Sequence, residues 1–235
     1  MTDPDFRDTD PADSKRQGRA TRPKLSATLI LLREENSVLQ FLMGKRTSAH
    51  RFMPNKFVFP GGGVDRQDAR APLATPIGSD VLEVMAAHIP AQRACAVACA
   101  AIRETYEETG LKLAQATGEA QSAPAEYQAF TDNHLGLDLG ALSVLARAIT
   151  PPYHPKRFDT WFFTAKADTL IDDPADLASG ELEQLQWVSC AQVADMDLPL
   201  ITRAVLQDLQ IQAKDPTAAK PYYYTRRGQH IRSFL

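Results

Sequence analysis

Three glutamates, Glu104, Glu107 and Glu108, stand at i, i+3 and i+4 in the run Arg103-Glu104-Thr105-Tyr106-Glu107-Glu108-Thr109-Gly110-Leu111. On a helix that spacing brings their carboxylates to one face, while Val97, Ala98, Ala101, Ile102 and Thr105 turn largely elsewhere. A solvated acidic face is the ordinary explanation for charge on a helix, but stabilised faces alternate in sign. Here Glu104 and Glu108 form a like-charge i,i+4 pair near a helix C-terminus, where the macrodipole disfavours anions. The pairs Arg103 to Glu107 and Glu108 to Lys112 offset only part of that repulsion. A hard divalent cation would neutralise the patch. Mg²⁺ held by a few carboxylates with retained waters, or Mn²⁺ in its place, is the expected pattern.

Upstream, Phe59-Pro60-Gly61-Gly62-Gly63 puts small residues at the end of a strand, where exposed amides and carbonyls can approach a phosphate or metal closely. Alone this is an ordinary tight turn, and no Gly-Lys-Ser/Thr follows to make a P-loop. Cations and aromatics near strand ends are candidates for substrate contact: Arg46, Arg51, and Arg157 with Phe158 in the segment His154 to Thr160. Each has an ordinary reading as a surface charge or core aromatic. The segment Tyr222 to His230 interleaves aromatics with positive charge and could reach over a phosphate-bearing ligand. Its plainer reading is a tail that packs on its own domain or on a dimer partner.

The elements that must carry these residues can be read from periodicity. Residues 91–110 hold strong helix formers between Pro90 and Gly110, the clearest helix in the chain. Residues 25–34, 38–47 and 56–60 read as three strands, 141–150 and 157–167 as two more, and 182–189 as a shorter one, with a helix over 198–212. Residues 65–90 read as an inserted loop with one short helix capped by Ser79 or Asp80. Strands interleaved with a few helices in a non-βαβ order predict an α+β fold, a mixed sheet covered by helices. Residues 1–22 lack large apolar residues and are expected to be a disordered tail. A domain over 23–213 and a C-terminal tail over 214–235 complete the expected organisation.

Composition bounds the function. A chain of 235 residues, 44% hydrophobic and 23% charged, fits one domain with tails and excludes fibrous and wholly disordered classes. With 26 basic against 29 acidic residues the formal charge is -3, so nucleic acid and anionic membrane are not expected partners and any anion site must be local. Apolar runs fall short of the ~20 residues that cross a bilayer. The acidic, proline-containing N-terminus does not resemble a signal or transit peptide, so a cytoplasmic location is expected. Cys95, Cys99 and Cys190 suggest no disulfide framework; Cys95 and Cys99, among alanines one turn apart, are expected as buried small hydrophobes.

Taken together, these motifs resemble the Nudix hydrolase family, whose signature is G-x5-E-x7-R-E-U-x-E-E-x-G-U with U bulky and aliphatic. Arg103, Glu104, Glu107, Glu108, Gly110 and Leu111 match its second half. The sequence departs from it in three ways. Thr105 occupies an aliphatic position, and Cys95, eight residues before Arg103, replaces the early glutamate. The signature allows 13 residues between its first glycine and arginine; residues 63–102 separate Gly62 from Arg103, about 27 more. The resemblance covers most of residues 24–210 and implies a Nudix-type α/β/α sandwich with the insertion before the catalytic helix.

A glycine strand, long insertion and R-E-T-x-E-E-T-G-L further resemble the subgroup that includes coenzyme A diphosphatases, as does the segment Lys45 to Arg51, although Met53 and Asn55 depart from the usual His-x-Gly. The resemblance implies hydrolysis of a small-molecule diphosphate: coenzyme A, an acyl-coenzyme A or a related nucleoside diphosphate derivative. A nucleotide-sugar or dinucleotide diphosphatase is the alternative enzyme, and a non-catalytic nucleotide-sensing domain the alternative from another class. By resemblance, Glu107 and Glu108 are the principal Mg²⁺ ligands, Glu104 a ligand or general base, the Gly61 carbonyl a further ligand, and Arg103 the group that orients the cluster. The family often dimerises, so the resemblance admits a homodimer without deciding the oligomeric state.

Overall fold

The computed structural model describes residues 21–47, 54–119, 121–152, 154, 156–173, 175, 177 and 182–235. The expected tail over residues 1–22 lies outside them except for Thr21 and Arg22. The first described elements form a hairpin of β1 (Lys24–Glu35) and β2 (Val38–Arg46). Its turn residues Asn36 and Ser37 both have positive φ, the pair of conformations that two-residue hairpins use. Two short strands follow, β3 (Phe57–Val58) and the glycine strand β4 (Gly61–Gly63). The insertion holds a 3-10 turn (Arg66–Arg70), β5 (Leu73–Thr75) and α1 (Ser79–Ala86), so it is more structured than a loop with one helix. Then come α2 (Ala91–Thr109), β6 (Ala114–Ala116), a turn leading into α3 (Gln128–Thr131), β7 (Leu135–Asp138), β8 (Ser143–Ile149) and β9 (Phe158–Lys166). The chain finishes with β10 (Leu182–Ser189), α4 (Cys190–Val193), α5 (Leu200–Lys214), β11 (Pro221–Arg226) and β12 (Gln229–Phe234).

The main sheet runs β10-β2-β1-β9-β8-β11-β12, with β3 on β2 and β4 on β1. It is mixed: β1 pairs parallel with β9 and β8 parallel with β11, while the other pairs are antiparallel. A small second sheet, β5-β7-β6, flanks it. Strand alternation explains the layers. Ala27, Leu29 and Leu31 of β1, with Trp161 and Phe163 of β9, join the core under α2. Ile30 and Phe162, one residue out of phase, join the core under α5. The result is an α+β sandwich with helices on both faces, as the sequence predicts.

Residues 214–235 are not a separate tail. After α5 the chain makes a hairpin in which β11 pairs with β8, through Tyr222 with Arg147 and Tyr223 with Ala148. The turn at Arg227 and Gly228 has positive φ at both residues. The Tyr223 hydroxyl donates to Asp208 of α5 at 2.5 Å and Arg232 donates to the same buried carboxylate at 2.8 Å. Arg147 lies 5.0 Å from the Trp161 ring and 4.8 Å from the Tyr222 ring, a cation held between two aromatic faces.

Alanines 94, 98, 100 and 101 let α2 approach the sheet closely, and Gly110 ends the helix in a left-handed conformation, its N–H donating to the Tyr106 carbonyl at 2.8 Å. Thr105 is fully buried where the signature has an aliphatic residue. Its hydroxyl is satisfied by the Ala101 carbonyl at 2.8 Å, so no polar group is stranded. Replacing the hydroxyl by a methyl removes only a donor, and the Ala101 carbonyl keeps the residue 105 N–H of the helix as its partner. Thr105→Val is therefore expected to shift stability by less than about 1 kcal/mol in either direction, measured by thermal unfolding. Cys99 is buried and Cys95 half-buried, both as free thiols. No single helix among the described residues is long and apolar enough to cross a membrane.

Candidate functional site

Pairing of β4 with β1 sets the glycines beside the glutamates: Gly61 lies opposite Thr28, Gly62 opposite Ala27 and Gly63 opposite Ser26. A Cβ at Gly61 would overlap the Ala27 carbonyl, and one at Gly62 would overlap the Glu104 carboxylate. The last turns of α2 thus press their carboxylates onto bare backbone, which only glycine permits. The Gly61 N–H donates to Glu108 Oε2 at 2.8 Å, tying the buried Glu108 to the strand. Gly62→Ala should displace Glu104 but spare the fold, because a side-chain terminus yields more easily than backbone. We expect a drop in turnover of about tenfold or more, of the size seen when supporting groups of a site are disturbed, with a melting temperature near wild type.

Arg103 is buried beneath this patch and uses all five of its N–H donors. Nε and Nη2 bind the two oxygens of Asp68 at 2.8 and 3.2 Å, and Nη2 also reaches the Gly63 carbonyl at 3.0 Å. Nη1 binds Glu104 Oε1 at 2.9 Å and Glu107 Oε2 at 3.0 Å. The guanidinium therefore fixes the glycine strand and two of the three glutamates at once. Asp68 is 1% exposed and comes from the insertion. It also accepts from the Tyr127 hydroxyl at 2.5 Å and from the Asp65 N–H at 2.6 Å, within a capping box at the start of the 3-10 turn. Burial pushes the Glu104 carboxyl above its ordinary range, an effect that the charge and hydrogen bond of Arg103 oppose.

Glu104, Glu107 and Glu108 line one wall of a cavity of about 600 Å³ together with Gly61, Gly62 and Gly63. The carboxylates are a hard oxygen donor set of the kind Mg²⁺ or Mn²⁺ prefers. Among the described residues, however, no three His, Cys, Asp or Glu side chains stand close enough together to hold a metal ion as they are placed. The hydrogen bonds explain this: Glu104 and Glu107 lean on Arg103, and Glu108 on the Gly61 amide.

Of the expected substrate contacts, Arg46 and Phe158 line the cavity. Arg51 lies outside the described residues. Arg157 is not among the residues lining the cavity; its Nε and Nη1 donate to the carbonyls of Thr150 and Thr21 at 3.0 and 2.7 Å, holding the β8–β9 connection to the chain entering β1. Its neighbours Lys156 and Phe158 line the cavity in its place. Sequence reasoning missed Asp68, which nothing in the sequence sets apart from Asp65, Asp80 and Glu83 of the same insertion. It also did not assign the hairpin, although Tyr223, Thr225 and His230 close the far end of the cavity.

No family model matches the chain. It is 28% identical over 191 residues to the Caenorhabditis elegans protein "Putative nudix hydrolase 7", a match covering 76% of this chain and 56% of that protein. The chain thus spans about half the length of the curated relative it matches. The crystal structure of a NUDIX hydrolase from Alicyclobacillus acidocaldarius is similar at a TM-score of 0.60 with 26% identity, covering 80% of this chain and 90% of that one. The chain has the Nudix fold, and in sequence and structure it is similar to Nudix hydrolases.

Proposed function

We propose that the chain is a divalent-metal-dependent Nudix hydrolase that cleaves the diphosphate bond of coenzyme A, an acyl-coenzyme A or a related nucleoside diphosphate derivative. One observation carries this reading: all three glutamates of the signature and the glycine strand share one wall of a cavity large enough for such a ligand. Glu107 and Glu108 would hold Mg²⁺ or Mn²⁺, with the Gly61 carbonyl as a further oxygen donor. When bound, the ion supplies positive charge to the phosphoryl oxygens and lowers the pKa of an attacking water.

The remaining work falls to side chains. Glu104, the carboxylate whose affinity for protons burial raises, is suited to join the ligand set or to take the proton from water. Arg103 acts from below, holding Glu104 and Glu107 at fixed positions rather than touching the substrate. Arg46 offers a guanidinium to a phosphate, and Phe158 a ring for stacking or packing. A purely nucleotide-sensing domain would not need to retain the whole glutamate set.

The test is incubation of the protein and Mg²⁺ with coenzyme A, acyl-coenzyme A, ADP-ribose, NADH, nucleotide sugars and dinucleoside polyphosphates, with products identified by mass. Release of 3′,5′-ADP and 4′-phosphopantetheine supports the coenzyme A reading. Cleavage of other diphosphates alone removes that substrate and keeps the hydrolase. Absence of turnover with either Mg²⁺ or Mn²⁺ contradicts the enzyme reading.

A further inference from the structure

We propose that the end of the cavity away from the glutamates is a second anion subsite, formed by Lys156 and His154 of the β8–β9 connection and by Thr225 and His230 of the C-terminal hairpin. Its ligand would be a phosphate monoester carried on the same molecule as the diphosphate. This rests on the diphosphatase reading and narrows its substrate class.

The sheet register lays out the path. Gly63 is opposite Ser26, Ser26 beside Thr160, Thr160 opposite Ala148, and Ala148 beside Tyr223. Gly, Ser, Thr and Ala leave a trough across β4, β1, β9 and β8, which the larger Tyr223 closes. From β1 to β8 is two strand spacings, about 10 Å, more than the oxygens of one diphosphate span. A ligand seated on the glutamates therefore meets the far end with a different group.

Charge states which group that is. Among the described residues, the only carboxylates that line the cavity are Glu104, Glu107 and Glu108, all at one end. Lys156, His154 and His230 line the rest of the same cavity, in a chain whose formal charge is -3. Asp159 and Asp208, the nearest acids on β9 and α5, are instead paired with Arg147 and with Arg232 and Tyr223. Those pairs anchor the hairpin that presents Thr225 and His230. A phosphate monoester carries about -1.5 to -2 charges near pH 7 and three acceptor oxygens, which suits an ammonium, imidazoles and a hydroxyl. A hexose or an unphosphorylated second nucleoside offers no such charge.

The experiment compares kcat/KM for coenzyme A and 3′-dephospho-coenzyme A, and for NADPH and NADH, in wild type and in a Lys156→Ala/His230→Gln double variant. Wild type is expected to favour the monoester-bearing member by about tenfold or more, the size of a charge-assisted contact. The double variant should bring that ratio to within about twofold, mainly through KM, since the contact is remote from the reacting bond. As a readout independent of turnover, 3′,5′-ADP should compete at least about tenfold better than AMP in wild type and lose that advantage in the variant. Equal use of both members by wild type overturns the subsite, as does an undiminished ratio in a variant that keeps the native circular dichroism spectrum. Turnover confined to diphosphates lacking a monoester also overturns it while leaving the diphosphatase reading intact. Failure to cleave any diphosphate instead removes the reading on which the subsite rests.

Discussion

Glu107→Gln is expected to lower kcat for diphosphate hydrolysis by about 10²- to 10³-fold, the scale on which removing one charge-stabilising group acts in a water-excluding site. The substitution keeps shape and one acceptor oxygen but removes the charge that a cation needs. Glu107 is the most exposed of the three glutamates, its side chain 40% accessible, and its one protein partner given by the structure is Arg103 at 3.0 Å. The fold should hardly notice, with stability within about 1 kcal/mol of wild type because exposed ion pairs contribute little. Kinetics and thermal unfolding on the same preparation separate the two effects. Full activity in the variant would take Glu107 out of the metal set.

Asp68→Ala should do the reverse, acting first on stability. It leaves Arg103 buried with two N–H donors unmatched, and it strips the Tyr127 hydroxyl and the Asp65 amide of their acceptor. Removing one partner of a buried ion pair costs about 3–5 kcal/mol. For a chain of this size that is a fall in melting temperature of roughly 6–20 °C. The Glu104 and Glu107 carboxylates, which lean on the same guanidinium, would lose their alignment, so whatever remains folded should also turn over more slowly. Asp68→Asn keeps an acceptor for one donor and should fall between the two. A melting temperature unchanged in Asp68→Ala would contradict the place of Asp68 beneath the site.

What the sequence made legible and what it did not have the same physical root. The glutamate face and its helix were readable because i, i+3 and i+4 geometry is local to α2. Likewise the long strands β1, β2 and β9 carry enough alternating or continuous apolar residues to declare themselves. The partner of Arg103 was not readable, because 35 residues separate Asp68 from it and tertiary packing alone brings them together. Cys95 stands where the signature has its early glutamate, and a carboxylate still reaches Arg103, delivered by the insertion instead of the helix.

The three-residue strands β5 and β6 are too short for any period to show. The C-terminal hairpin was missed for a different reason. Tyr222 to Tyr224 are strand formers and Arg227-Gly228 is a turn pair, but the plainer sequence reading is a tail packed on its own domain or on a dimer partner, and only the pairing with β8 makes it part of the sheet. At Arg157 residue type suggests phosphate binding, while the hydrogen bonds its guanidinium donates to the Thr150 and Thr21 carbonyls depend on tertiary packing that no local pattern announces.

The most direct measurement is the rate of coenzyme A and ADP-ribose hydrolysis in EDTA and then across a Mg²⁺ titration, with wild type and Glu107→Gln side by side. Hydrolysis that is absent in EDTA, rises to saturation with Mg²⁺ and is lost in Glu107→Gln is the expected result. Diphosphate hydrolysis that persists in EDTA, or that is equal in the two proteins at saturating Mg²⁺, would contradict metal-assisted chemistry at this glutamate cluster.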